Sequence, residues 1–595
     1  MLAAIRRELN YIKHAGRTLW MLRLVTPDSP RTIVDIVEQR VAQSPDNPAL
    51  FCQDQMLTYA QMDARASRYA NWAIRMGIKR GDRVALLMEN RPDYICAWLG
   101  LFKVGAQVAL INTNLTGAAL FHSIAIAGAG HAIVGAELAE AFAGAGIENG
   151  PQFWVEGAKG ALPPGARDLS AALDEASPIS PGKQARDGLT CKDRAFFIYT
   201  SGTTGLPKAA NFSHMRMLFM MYGFVGALGP TERDRIYDPL PLYHSTGGVC
   251  AVGLALLSGG ALIIRRKFSV HEFWNDVHKY RATMFQYIGE LCRYLLNVPP
   301  HPLERGHAIR AITGNGLRPE IWTQFQQRFA IPRVVEFYGA TEGNVSMLNY
   351  DGTVGAVGRV PEYIQFRLPT RVVRFDVEKE AVVRGPDGLC IECAPNEVGE
   401  VVGGIGGSAG RSFEGYTDKR DSEKKILRDV FEKGDAWFAT GDLMRRDEHS
   451  YFYFVDRIGD TFRFKGENVA TNEVGEVLAA VSGISEANVY GVKVPGVDGR
   501  AGMAVLVADG DFDMDGLAAY LKTRLASYAR PVFLRLSSHI DVTGTFKQRK
   551  VDLVREGFDP AAIADPLYFL DPDSGRYERL TASRYADIVS GKVKL

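Results

Sequence analysis

Residues 199–210 read YTSGTTGLPKAA and gather Thr200, Ser201, Gly202, Thr203, Thr204, Gly205 and Lys208 into one short stretch behind an apolar run, RAFFI. Bare glycines let backbone N–H groups close around oxyanions, hydroxyls add donors, and the lysine contributes a point charge. The chemistry on offer is therefore the cradling of phosphate oxygens. The spacing G-x-x-G-x-x-K is not a Walker A loop, which reads G-x-x-x-x-G-K-[ST] and opens a helix. Here KAANF continues as a strand and Ser213 starts the next helix. Cys390 and Cys393 form a C-x-x-C, but tetrahedral zinc takes about four ligands and no second Cys or His pair stands nearby at ligand spacing. These two read as structural thiols.

The elements that must position the loop follow from hydrophobic patterning. DRVALLMENRPDYICAWLGLFKVGAQVALINTNL alternates strand, helix and strand, and PEIWTQFQQRFAIPRVVEFYGATEG gives a helix, a strand at 334–337 and a polar loop. Strands alternating with helices indicate an α/β fold with largely parallel sheets. The Met-rich segment MRMLFMMYGFVGAL reads as a core helix. A composition change near FVDRIGDTFRFKGENV marks a boundary, beyond which short strands and one helix suit a small α+β domain. The expected organisation is a basic N-terminal segment (1–30), a large domain of layered α/β subdomains (31–458) and a small mobile C-terminal α+β lid (459–595).

The chain has 595 residues, too long for one ordinary core, and its 69 Lys plus Arg against 68 Asp plus Glu predict no nucleic-acid partner. Seven scattered cysteines do not describe a secreted disulfide framework and point to a reducing, cytoplasmic setting. No apolar run is long enough to cross a bilayer. In MLAAIRRELNYIKHAGRTLWMLRLV, Leu2, Ile5, Leu9 and Ile12 recur at helical spacing among Arg6, Arg7, Lys13, Arg17 and Arg23. Such a helix suits an anionic membrane surface, peripherally, or packs on its own domain; both readings stand.

Taken with YTSGTTGLPK, the strings YHSTGG (243–248), YGATEG (338–343), TGD (440–442), DRIGDTFRFKGENV (456–469) and TGTFKQRK (543–550) resemble, in chain order, the adenylate-forming enzymes, to which acyl-CoA synthetases and firefly-type luciferases belong. FQYIGELCRYLLN, DTFRFKGENVATNEV and the tail YADIVSGKVKL look like the fatty acid transport protein group, also called very-long-chain acyl-CoA synthetases.

The resemblance implies a reaction and roles. A fatty acid carboxylate attacks the α-phosphate of ATP and expels pyrophosphate, and the acyl-AMP then passes its acyl group to CoA. Residues 200–208 would hold the β- and γ-phosphates, with Thr200 and Glu342 on Mg²⁺. Tyr338 and Gly339 would face the adenine, with Gly314 and Asn315 near the base, Thr341 near the α-phosphate, and Asp442 and Arg457 on the ribose. Lys547 is the implied catalytic lysine, with Lys550 its competitor three residues on. Gly466 would let pantetheine pass, and Gly459 would be the hinge, where many relatives carry Asp or Lys. His244 lines the acyl entrance or is a core histidine. Other readings are an acyl-AMP ligase serving a carrier protein, a CoA ligase for a sterol or bile-type acid, and a transport protein without catalysis.

Overall fold

A computed structural model describes residues 2–593 except 148–149, 201–205, 378, 407–411, 498, 510–511 and 542–549. The chain divides into two compact units: Met1–Leu317 with Gln324–Val354 and Ile405–Ile426, and Arg318–Thr323 with Gly355–Gly404 and Leu427–Leu595. The boundary expected at 458/459 falls inside the second unit.

Two sheets build the first unit. In one, Ala166–Asp168, Gln152–Glu156, His131–Gly135, Arg83–Leu87, Gln107–Leu110 and Arg194–Thr200 run parallel, and Lys208–Ser213 closes the edge antiparallel. In the other, Pro48–Cys52, Ala261–Ile264, Arg235–Asp238, Met284–Ile288, Ala311–Asn315 and Val334–Gly339 run parallel, with Gln55–Thr58 and Ser346–Leu348 antiparallel at the two edges. Parallel strands are covered on both faces, and their continuous apolar runs, such as Ala195–Phe196–Phe197–Ile198, are buried. Thr200, Asn315 and Gly339 all end such strands, at the carboxyl edge where open α/β sheets bind ligands. The α/β layering and parallel strands agree with the sequence reading.

The second unit holds a third sheet, antiparallel, of Gly358–Arg359, Tyr451–Arg457, Ala436–Arg446, Val398–Gly404, Thr370–Asp376 and Ala381–Val382. Short turns, not helices, join several of its strands, so adjacent strands reverse. A five-stranded mixed sheet, Ile484–Val492, Ala501–Ala508, Phe533–Leu536, Leu567–Leu570 and Tyr577–Arg579, carries the helix Met514–Arg524. Cys390 and Cys393 are buried free thiols here, and burial pushes both thiols up.

The N-terminal helix Leu2–Leu22 presents two different faces. One face docks: Tyr11 meets Tyr350 with ring centroids 5.3 Å apart, and His14 Nδ1 lies 3.2 Å from the Gly226 carbonyl in the helix His214–Leu228. Gly226 is obligatory there, since a Cβ would sit 1.9 Å from Thr18 Oγ1. The apolar stripe points the other way. Ile5, Leu9, Ile12 and Trp20 are exposed, Leu9 at 62% and Trp20 at 64%, with Arg23 over the Trp20 ring. Among the described residues no helix is long and apolar enough to cross a membrane.

The first unit is also held by a buried ion cluster. Lys103, 2% exposed, sits 2.9 Å from Glu38 and 2.9 Å from Asp63, and Arg186 pairs with Glu38 and Asp35. Burial opposes the Glu38 charge, but Lys103 and Arg186 outweigh it and hold the carboxyl below its ordinary range. Removing one partner of a buried pair strands the others. Lys103→Met is expected to lower the urea midpoint of unfolding, at a cost of about 3 kcal/mol.

Candidate functional site

The strand Arg194–Thr200 turns back into Lys208–Ser213 with Thr200 opposite Lys208, so both ends of the glycine-rich loop stand side by side. This is the strand–loop–strand expected. Ser201, Gly202, Thr203, Thr204 and Gly205 lie outside the described residues. Thr200 Oγ1 is buried and faces the Tyr416 phenol. Lys208 Nζ is 2.9 Å from Asp421 Oδ1 and 5.7 Å from the centre of the Tyr416 ring.

A distant segment completes this corner. Asn211 N donates to the Gly415 carbonyl at 2.9 Å, Thr417 N to the Ala209 carbonyl at 2.9 Å, and Ala210 bridges Tyr416, so residues 415–417 run as an extra strand beside Lys208–Ser213. Asn211 Nδ2 adds bonds to the Glu414 and Tyr416 carbonyls, at 3.0 and 3.1 Å. Glu414 then accepts from the Ser213 amide and hydroxyl, while Ser213 caps the helix His214–Leu228. From that helix Arg216 Nη2 donates to the Ala340 carbonyl at 2.7 Å, inside YGATEG. Burial works against the Arg216 charge, and the Glu414 and Glu342 carboxylates sustain it.

Tyr338 and Gly339 close the strand Val334–Gly339, and Thr341 and Glu342 follow in a half-buried loop. Gly415 N donates to the Glu342 carbonyl at 3.3 Å. Gly314 and Asn315 end the neighbouring strand, where a Cβ on Gly314 would lie 2.2 Å from the Tyr287 carbonyl, so glycine alone fits. Below them Glu336 is buried and accepts from Tyr287 Oη at 2.7 Å, Gly316 N at 3.0 Å and Leu317 N at 2.9 Å. Burial outweighs these three donors and raises its carboxyl to about 8. Glu336 thus locks the turn after Asn315. His244 is half-buried, and its Nδ1 accepts from Thr246 N at 3.4 Å.

In the second unit Asp442 and Arg457 are register partners on adjacent strands, with Arg457 Nε 4.0 Å from Asp442 Oδ1. Gly459 follows with open space where a Cβ would be. Gly466 sits with Lys465 at the exposed tip of the hairpin Phe462–Phe464/Glu467–Val469, both at positive φ (82° and 52°), as a tight two-residue turn demands. Lys547 lies outside the described residues. Lys550 is engaged elsewhere: its Nζ donates to Thr471 Oγ1 at 2.6 Å and pairs with Asp460 at 3.1 Å.

Thr200, Lys208 and Glu342 therefore converge around Tyr416, Gly314 and Asn315 share the strand edge with Tyr338, and Asp442 faces Arg457. Sequence reasoning missed Arg216, Glu336, Glu414, Tyr416 and Asp421. Glu336 was visible in EFYGATEG, but nothing local marks a carboxylate as buried.

An AMP-binding enzyme family model matches residues 37–407, and an AMP-binding enzyme C-terminal domain model matches 473–547. The chain is 44% identical to long-chain fatty acid transport protein 1 of Mus musculus, over 90% of this chain and 84% of that one. Its human counterpart is 41% identical, over 100% and 91%. Among solved structures, a Mycobacterium tuberculosis fatty acyl CoA synthetase superposes with a TM-score of 0.61 at 26% identity, covering 89% of this chain and 98% of that one. The chain belongs to the AMP-binding, adenylate-forming enzymes, and within them to the long-chain fatty acid transport protein family.

Proposed function

We propose that the chain is a long-chain fatty acid–CoA ligase that joins the acid to AMP, transfers it to CoA, and by trapping the ester draws fatty acid inward. The full-length identity to long-chain fatty acid transport proteins carries this reading. The convergence of Thr200, Lys208 and Glu342 at a strand edge supports it.

The physical problem is that a carboxylate must approach a polyphosphate of like charge, so the protein's task is positioning and charge stabilisation. Residues 200–208 hold the β- and γ-phosphates, with Lys208 leaving Asp421 for phosphate oxygens. Tyr338 and Gly339 face the adenine beside Gly314 and Asn315. Thr341 orients the α-phosphate, and Asp442 and Arg457 hold the ribose. Thr200 and Glu342 fit Mg²⁺, since a buried hydroxyl and a carboxylate, both facing the Tyr416 phenol, are a pair of hard oxygen donors. Bound there, the cation neutralises phosphate charge. Lys547 bridges the carboxylate and α-phosphate oxygens as the acyl–O–P bond forms and the bond to pyrophosphate breaks. The commitment of Lys550 to Thr471 and Asp460 favours Lys547 for this role.

For the second half-reaction, the lid at 459–595 turns about Gly459 and brings the hairpin bearing Gly466 to the pantetheine path. The CoA thiol attacks the acyl carbonyl, and AMP leaves. The N-terminal helix rests on an anionic membrane surface through Ile5, Leu9, Ile12 and Trp20, flanked by Arg6, Lys13 and Arg17, with the enzyme on the cytoplasmic side.

CoA-ester formation with ATP, Mg²⁺ and acids from acetate upward is expected to improve by about fourfold in kcat/KM per added CH₂ until the pocket fills. Product that does not rise with chain length overturns the long-chain assignment. Lys547→Ala should lower acyl-AMP formation about 10²–10³-fold while still converting supplied acyl-AMP and CoA to ester. Equal loss in both half-reactions overturns its role. Leu9→Glu with Trp20→Glu, which spares the docked face, should reduce sedimentation with anionic vesicles at least tenfold; unchanged binding rules out the helix as the contact.

A further inference from the structure

Tyr416 belongs to a string, EGYTD, that the adenylation chemistry above leaves unused, yet the fold brings it to the phosphate corner with unusual care. Its backbone is laced to Lys208–Ser213 by the bridge with Ala210 and by the hydrogen bonds of its two neighbours, Gly415 and Thr417. Its ring is 8% exposed, and the Lys208 ammonium lies on the ring side at 5.7 Å. Its phenol faces two side chains, the Glu342 carboxylate and the Thr200 hydroxyl. The same segment grips Glu342 a second time, through Gly415 N and the Glu342 carbonyl at 3.3 Å.

We infer that Tyr416 is a positioning residue for the nucleotide site, its hydroxyl donating to Glu342 so that this carboxylate and Thr200 Oγ1 are held ready for a magnesium-bound triphosphate. A glutamate side chain has three rotatable bonds, and fixing them costs conformational entropy that ligand binding must otherwise supply. A phenol anchored on a strand does it beforehand. Phenylalanine would keep the packing and the ring face offered to Lys208 and lose the donor alone. The second contact, through Gly415, fixes only the Glu342 backbone, so orienting the side chain falls to the phenol together with the nearby Arg216 charge.

The inference rests on the adenylation reading, and the experiment separates the two. ATP binding to the full chain is measured by calorimetry with and without Mg²⁺, for wild type and Tyr416→Phe, alongside thermal midpoints and the two half-reactions. The expected result is unchanged ATP affinity without Mg²⁺, an unchanged midpoint and an unchanged acyl-AMP-to-CoA step. The Mg²⁺ concentration that half-saturates ATP binding should rise about tenfold, the loss expected for one hydrogen bond to a charged group. A variant that titrates with Mg²⁺ like wild type overturns the role. So does a variant in which Mg²⁺-free ATP binding and the thermal midpoint fall together, since Tyr416 is then only part of the packing. Wild type that binds no ATP under either condition takes down the adenylation reading and this inference with it.

Discussion

The corner formed by Thr200, Lys208 and Glu342 depends on one pairing between segments some two hundred positions apart: residues 415–417 running beside the edge strand Lys208–Ser213. An edge strand presents unpaired donors and acceptors. Here they are spent on a segment whose side chains each have a task. Glu414 accepts from the amide and hydroxyl of Ser213, the cap of the helix that carries Arg216. Tyr416 covers Thr200 and Glu342. Asp421 pairs with Lys208. Without this ladder the loop's two ends would still pair, but the carboxylate and the lysine would have no fixed neighbours.

The same economy governs the adjoining strand edge. Glu336 lies beneath the turn after Asn315, and burial that holds a carboxyl near 8 keeps it largely uncharged at neutral pH. A neutral acid accepts from two amides and a phenol without placing a negative charge beneath the strand edge. From the helix side, Arg216 ties the YGATEG loop through the Ala340 carbonyl.

Much of this arrangement was legible in sequence because the reacting groups sit in local strings. Thr200 and Lys208 flank their loop, Gly314 and Asn315 end a strand, and Asp442 pairs with Arg457 across adjacent strands. The parallel sheets read from the alternation of strands and helices in stretches such as DRVALLMENRPDYICAWLGLFKVGAQVALINTNL. What stayed hidden was long-range or depended on burial. Asp421 and Lys208 are too distant in sequence for any periodicity to connect them. Glu414 and Tyr416 carry ordinary turn composition, and Glu336 differs from a surface glutamate only by what covers it. The division into compact units was hidden for the same reason, since it follows packing rather than the composition change near Gly459.

The N-terminal helix shows how a pattern can be read correctly and still mislead about direction. Apolar residues at helical spacing ordinarily mark the face that packs on the protein. In this helix the docked face is the more polar one, Tyr11, His14 and Thr18, each matched to a specific partner: a ring, a carbonyl and a glycine. A hydrogen-bonded, stacked interface leaves the aliphatic stripe unsatisfied, and water is a poor environment for four large apolar side chains on one helix. Cations flank that stripe, and the proposed membrane contact would pair them with anionic headgroups. The structural cost is small: the helix needs only one narrow docked seam, and glycine at 226 supplies the close approach that seam requires.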